Sequence, residues 1–381
     1  MTECARISYF FTKSKYKEEN IWLICETPLQ CQENGYYLFK WIRENYPELP
    51  VYYIISQNAP GLNQVKQLGN VIYHKTFYEY FYMFHAKRII STHGLWILPD
   101  EFGILKKITK KQLKAKKIML NHGVGFLKNG KAFYHKSIFA LNDLIMALSQ
   151  KHKEIFLNEY GYEDKDVVIT GYPRFDDLID KSEESEFSNL IVFMPTFRDK
   201  EDNIGEAFRN TELFLTLKRI MQDQKLLDFL LKNNVVFGIY LHQNIQQYSY
   251  MLEEYSSSNM RVLIQGKFTV QKLLKESRIL ITDYSSVFFD FVYMKKPFIS
   301  YQFDYDKFIA SRKDKAFIDF ENDLPGYVVE RHEDLIEKIM EIVNTNYIFP
   351  LEHEQKSKMF FQYDDRNNCK RVFNAIKGSI T

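Results

Sequence analysis

Residues 278–304, RILITDYSSVFFDFVYMKKPFISYQFD, read as strand, turn, helix and strand in one short stretch. Residues 278–282 are a short apolar, β-branched run, and residues 298–301 begin the next. Between them, residues 287–294 are apolar on nearly every face, so a helix there must be buried. Lys295-Lys296-Pro297 stops it. The turn Asp283-Tyr284-Ser285-Ser286 has small polar side chains that can cap the helix. A helix that starts at the carboxyl end of a strand also presents unpaired N–H groups and a positive dipole end. With serine hydroxyls added, the turn has the makings of a phosphate site; plain capping is the simpler alternative.

The same alternation runs through the chain. Strands are expected at 21–25, 51–56, 71–73, 88–91, 117–120, 143–148 and 167–170. After a polar stretch at 182–189 they restart at 190–194, 235–241, 262–265, 278–282, 298–301 and 327–329. Helical spacing is expected at 33–45, 76–86, 150–160, 211–232 and 333–344. Strands alternating with helices predict parallel sheets covered on both faces, an α/β class. Two such sheets, joined near 171–177, are expected to leave a central cleft between facing carboxyl ends, where open sheets bind ligands.

At 381 residues and 45% hydrophobic, the chain can build two cores. A net charge of +2 gives no sign of a nucleic-acid partner. Lys106, Lys107, Lys110, Lys111, Lys114, Lys116 and Lys117 crowd one segment, which suits an anionic membrane or polymer, or is simply a solvated face. Cys4, Cys25, Cys31 and Cys369 form no zinc spacing and suit a reducing compartment. No run is long enough to span a membrane, and the first residues lack a signal-peptide core. The expectation is a cytoplasmic chain, with peripheral contact at the inner membrane face left open.

Several strand ends carry reactive side chains. Asn121-His122-Gly123 places a histidine, able to take a proton near neutral pH, before a loop with Lys128. Ser91-Thr92-His93-Gly94 is a second His-Gly after a strand, and spacing does not choose between them. His242 follows 235–241 and can donate to a phosphate or protonate a leaving group. Thr196 and Arg198, with Asp199, can bind an anion, or Arg198 and Asp199 can pair at the surface. Arg174 and Asp176 read as a structural ion pair, and Asp290, on the apolar helix, needs a partner. A P-loop and a GxGxxG after the first strand are missing. This points to a phosphate site without a metal or cofactor.

Taken in order, ENGYYLFKWIRENYP, LNHGVGFLKNG, ITGYPRFDDL, IVFMPTFRD, IYLHQN and ITDYSSVFFDFVYMKKPFISYQFD resemble the CDP-glycerol glycerophosphotransferase family, the teichoic acid and capsule poly(alditol phosphate) transferases. The resemblance implies a GT-B-like fold: a Rossmann-like acceptor-side domain at 1–175, a CDP-alditol-binding domain at 176–350, and a C-terminal helix within 351–381 packing back on the first. It implies transfer of glycerol phosphate or ribitol phosphate from a CDP-alditol to a lipid-linked or saccharide acceptor, releasing CMP. Position by position, His122 matches the family's general base, and His242 the second histidine near the pyrophosphate. Thr196, Arg198, Asp283, Ser285, Ser286 and Asp290 match its donor-binding elements. Lys128 and the lysines at 106–111 are candidate acceptor or membrane contacts. Two other readings stay open: a GT-B glycosyltransferase using a nucleotide sugar, and a non-catalytic polyanion- or membrane-binding protein.

Overall fold

A computed structural model of the chain describes residues 1–93, 113–136, 142–187, 189–198, 203–311 and 316–378. The described residues form two compact units, each around one sheet. The first comprises Met1–Gly125, Asn129–Asp177 and Met359–Thr381; the second comprises Phe126–Lys128 and Leu178–Lys358.

The first sheet holds β1 (Trp22–Cys25), β2 (Val51–Ile55), β3 (Val71–Tyr73), β4 (Arg88–Ser91), β5 (Lys116–Met119), β6 (Leu144–Ala147) and β7 (Val167–Ile169). Their order is β3-β2-β1-β4-β5-β6-β7, with every pairing parallel. The second sheet holds β8 (Leu190–Met194), β9 (Val236–Ile239), β10 (Met260–Val262), β11 (Ile279–Thr282), β12 (Phe298–Tyr301) and β13 (Tyr327–Val329). Its order is β10-β9-β8-β11-β12-β13, again all parallel. The two sheets share one plan. Strand order reverses beside the opening strand, between β1 and β4 and between β8 and β11, the switch point where open sheets receive ligands.

Parallel strands are covered on both faces, so their sequences run apolar without a break. Every residue of β1, β8 and β11 is buried. Alternate residues feed opposite faces. Trp22 and Ile24 join Leu38, Phe39 and Phe373, while Leu23 and Cys25 join Ala5, Tyr80 and Phe84. The two halves of the tail belong to different units. The helix Leu351–Ser357 goes with the second, and Asn368–Gly378 with the first, where Phe373 stacks on Tyr46 at 4.5 Å.

Three expectations change. The single helix expected over 211–232 is two, Glu212–Met221 and Gln224–Lys232. Asp223 interrupts it by accepting from Leu226 N at 2.8 Å, which caps a new helix. The strand expected at 262–265 lies earlier, at Met260–Val262. The N-terminal residues form an unanticipated helix, Thr2–Thr12.

Candidate functional site

In the second unit β8 and β11 pair through Met194↔Thr282, so Thr196 and Asp283 leave the sheet side by side. The buried Asp283 accepts from Thr196 N at 2.9 Å and from its neighbour Tyr284 N at 2.6 Å on Oδ1. Its Oδ2 accepts from Arg198 Nη1 at 2.9 Å. Asp304, beyond β12, takes the other side of the guanidinium, Nε and Nη2 each at 2.8 Å, and also accepts from Tyr284 Oη at 3.1 Å. Tyr284, Phe303 and Phe308 surround the Arg198 guanidinium at 5.3–5.6 Å. Burial disfavours the charge on Arg198, but Asp283 and Asp304 outweigh it and hold the guanidinium firmly protonated.

This geometry revises the expected roles. Arg198, Asp283 and Asp304 clamp the ends of three strands and shape the Asp283–Ser286 turn. Asp304 is a member that sequence reasoning missed. It closes the stretch 278–304, but nothing in spacing ties it to a residue 106 positions earlier.

Other polar groups also lie near these strand ends. Thr196 Oγ1 is shielded and has no hydrogen-bond partner among the described residues. Ser286 stands at the start of the helix Val287–Tyr293 but makes no side-chain cap bond, and it is exposed. Among the described residues, Ser285 Oγ makes one long contact of 3.4 Å, accepting from Val287 N. Simple capping therefore does not account for the two serines. His242 follows β9 and stacks on Phe197 with centroids 4.7 Å apart. Asn244 N donates to its Nδ1 at 3.3 Å, so the neutral ring carries its proton on Nε2 and offers a donor there. Burial, and then the charge of Lys128, lower the pKa of His242. Lys128 was expected on the acceptor side; the structure groups it with the second unit, close enough to His242 to act on it.

Asp290 is buried within its helix, away from solvent. Lys296 of the KKP stop donates to the carbonyls of Leu274, Lys275 and Ser277 at 2.7, 2.9 and 2.6 Å. It thereby closes the end of the helix Val270–Glu276, and burial brings its pKa down to about 8.

In the first unit, β4 and β5 lie side by side, and the two histidines beyond them meet. The His93 and His122 rings stack at 4.4 Å and 15°. Asn121 enters the left-handed region at φ 63°; its Nδ2 donates to Met146 O at 2.8 Å and its carbonyl accepts from Asn34 Nδ2 at 2.6 Å. Tyr172 Oη donates to Gly123 O at 3.2 Å, which fixes the other side of His122. His122 keeps an exposed edge, with Tyr134 Oη 3.5 Å from Nδ1. Close surroundings, and then the charge of Arg174, lower its pKa, so the ring is neutral at pH 7. His93 is the more shielded ring, pushed down to about 3 by burial and by His122. Of the two His-Gly candidates, His122 is the more exposed.

The switch point of the first sheet is already filled. Glu26, fully buried just past β1, accepts from Gln32 N, Glu33 N and Tyr36 N at 2.8–2.9 Å. Burial raises its pKa to about 7 against the pull of those amides. Gly35 N donates to Thr92 Oγ1 at 2.9 Å, and a Cβ on Gly35 would meet that oxygen at 2.9 Å. The start of the helix Asn34–Asn45 is therefore occupied by the chain's own carboxylate and hydroxyl. No motif signalled this use of Glu26.

Arg174 and Asp176 do not pair with each other. Arg174 Nε lies 3.6 Å from Glu33 Oε2. Asp176 accepts from Asn368 N, Asn368 Nδ2 and Cys369 N, each at 2.8 Å, and so caps the helix Asn368–Gly378. Lys106, Lys107, Lys110 and Lys111 lie outside the described residues.

Residues 7–378 match the family model described as CDP-glycerol:poly(glycerophosphate) glycerophosphotransferase. The chain is 26% identical over 374 residues to the minor teichoic acid biosynthesis protein GgaB of Bacillus subtilis, covering 95% of this chain and 40% of that protein. It is 24% identical over 362 residues to the teichoic acid glycerol-phosphate primase of the same organism, covering 89% of this chain and 82% of that protein. Thus it spans less than half of the first relative. The fold is GT-B-like and similar to the wall teichoic acid polymerase TagF, with a TM-score of 0.67 at 17% identity over 99% of this chain and 96% of that one.

Proposed function

We propose a reaction for a chain that belongs to the CDP-glycerol:poly(glycerophosphate) glycerophosphotransferase family: transfer of glycerol phosphate or ribitol phosphate from a CDP-alditol to a hydroxyl of a teichoic acid, capsule or other cell-surface glycan. His122 takes the proton of the acceptor hydroxyl. The oxygen forms a bond to the β-phosphorus as the bond from that phosphorus to the CMP oxygen breaks. The products are a phosphodiester, CMP and a proton that His122 passes to solvent. General-base catalysis of this kind is worth about 10²–10⁴-fold.

The observation that carries this reading is the division of labour at the β8/β11 switch point. Arg198 pairs with both Asp283 and Asp304 and offsets part of the charge that would otherwise repel a diphosphate. The Thr196 hydroxyl, His242 Nε2–H, Lys128, Ser285 and Ser286 supply donors and positive charge around the same strand ends. Such groups favour the charge that develops on the transferring phosphoryl group; losing one donor costs about 10²–10³-fold. The proposal includes no metal requirement, since this cluster supplies the charge.

The test offers the protein CDP-glycerol, CDP-ribitol and UDP-sugars with a cell-wall acceptor extract, and measures released nucleotide with and without EDTA. Release from a CDP-alditol, unchanged by EDTA, is expected. Turnover of a UDP-sugar instead, or of none of the donors, would overturn the proposal; loss of turnover in EDTA would overturn its metal-free part.

A further inference from the structure

The ENGYYLFKWIRENYP motif opens with three residues that the proposed reaction does not use. Glu33, Asn34 and Gly35 begin the helix Asn34–Asn45, and each reaches outside it. Asn34 is fully buried. Its Nδ2 donates to Asn121 O at 2.6 Å, and its Oδ1 accepts from Arg174 N at 3.1 Å. Glu33 Oε2 lies 3.6 Å from Arg174 Nε. Gly35 N donates to Thr92 Oγ1 at 2.9 Å, and Thr92 precedes His93, the ring stacked on His122. Three consecutive residues thus touch three segments beside His122: 92–93, 121–122 and 174.

Capping does not account for Asn34. An asparagine at a helix start ordinarily accepts from amides of its own helix. Here Glu26 takes the amides of Glu33 and Tyr36, and both polar ends of Asn34 go to other segments. The position asks for a donor and an acceptor on one short side chain. An ionised Asp has no donor for Asn121 O, and Ala has neither group. Glycine is needed beside it, since a Cβ on Gly35 would meet Thr92 Oγ1 at 2.9 Å and Cys25 O at 3.1 Å. Asn121 O belongs to the planar peptide group that joins Asn121 to His122. The bond from Asn34 therefore sets the plane from which the histidine departs, while the side chain of Asn121 is committed to Met146 O.

We infer that Asn34 is a positioning residue for His122, holding the 121–122 peptide group against the backbone of Arg174, and that Glu33 offsets the charge of Arg174 beside the ring. The inference rests on the reading of His122 as the base, because both residues act through it. The charged and titratable groups around the ring are His93, Tyr134 and Arg174, with Glu33 behind Arg174.

The test is a double-mutant cycle on the full chain, reading CMP release from the CDP-alditol that wild type turns over. Asn34→Ala should lower kcat by about 10- to 100-fold, the cost of a misplaced catalytic group, with KM for the CDP-alditol unchanged. In the His122→Ala background the same change should have no further effect on kcat. Glu33→Gln removes a charge and no volume. It should keep the melting temperature and move the acid limb of kcat/KM to lower pH, because Arg174 loses its counter-charge. The same fall should appear without any donor in the titration of the His122 ring, followed by NMR of protein with isotope-labelled histidine. Asn34→Ala with wild-type kcat would overturn the inference. So would a kcat loss equally large in the His122→Ala background, since Asn34 would then act on the fold alone. An unmoved acid limb and ring titration in Glu33→Gln would also overturn it, and they decide the matter if Asn34→Ala does not fold. Wild type that releases no CMP, or His122→Ala that releases it as wild type does, would instead remove the base itself and the inference with it.

Discussion

Arg198 is held by two carboxylates, and this decides what it can do. Removing it would leave Asp283 and Asp304 buried without their counter-charge, a loss of about 3–5 kcal/mol. Arg198→Ala should therefore lower the denaturation midpoint as well as turnover. A variant with wild-type stability and lost donor binding would instead mark Arg198 as a direct ligand. His122 behaves differently, because it keeps an exposed edge and its removal empties no core. His122→Ala should cut turnover by about 10²–10⁴-fold with the melting temperature nearly unchanged. In the proposed reaction the neutral ring is the active base. Its pKa is lowered, so activity should persist below pH 6.5 and fall only as pH drops through that lowered value. An acid limb lying above pH 6.5 in the kcat/KM profile would contradict the assignment. The candidate histidines and serines were legible because each follows an apolar strand run. The clamp was not, because Asp304 meets Arg198 only through the order of β8, β11 and β12.

Among the elements, the tail helix is capped by a side chain from far upstream. Asp176 caps the helix Asn368–Gly378 with three donors, and Arg371 adds Nε to Thr170 O at 2.9 Å and a two-pronged pair with Asp365 at 2.8 Å. Losing a cap of this kind costs about 0.5–2 kcal/mol. Asp176→Ala should make amides 368–378 exchange hydrogen faster than the β-strands, measured by mass spectrometry. Uniform acceleration across the first unit would show that the tail does not open separately. Gly171 belongs to the same joint: it has φ 75°, and a Cβ there would meet Asn368 Oδ1 at 1.9 Å. From the sequence, the GYPRFD motif showed that something was fixed here but not what. An Arg and an Asp two residues apart suggested each other as partners, while their actual partners are distant. The break at Asp223 was hidden for a similar reason. Apolar periodicity continues across it, and only the capping bond to Leu226 N reveals two helices.

On the scale of the whole molecule, two sheets of the same strand order have come to opposite uses of the same position. At the β1/β4 switch point the chain's own Glu26 takes the amides that start a helix. At the β8/β11 switch point Arg198 bridges Asp283 and Asp304, and hydroxyls, an imidazole donor and Lys128 stand around the strand ends. The alternation of strands and helices was enough to anticipate two parallel sheets, and strand-end side chains marked most of the candidate site. The proposed assignment of the phosphates to the second sheet turns on Glu26, whose hydrogen bonds no local pattern announces. The central claim is transfer of an alditol phosphate with His122 as base, and it is tested most directly by identifying the bond that breaks. Phosphorus NMR of CDP-glycerol with wild-type protein and acceptor should show CMP and a new phosphodiester rising together, with His122→Ala slowed by about 10²-fold or more. Release of CDP, CMP without a diester, or an unimpaired His122→Ala variant would contradict it.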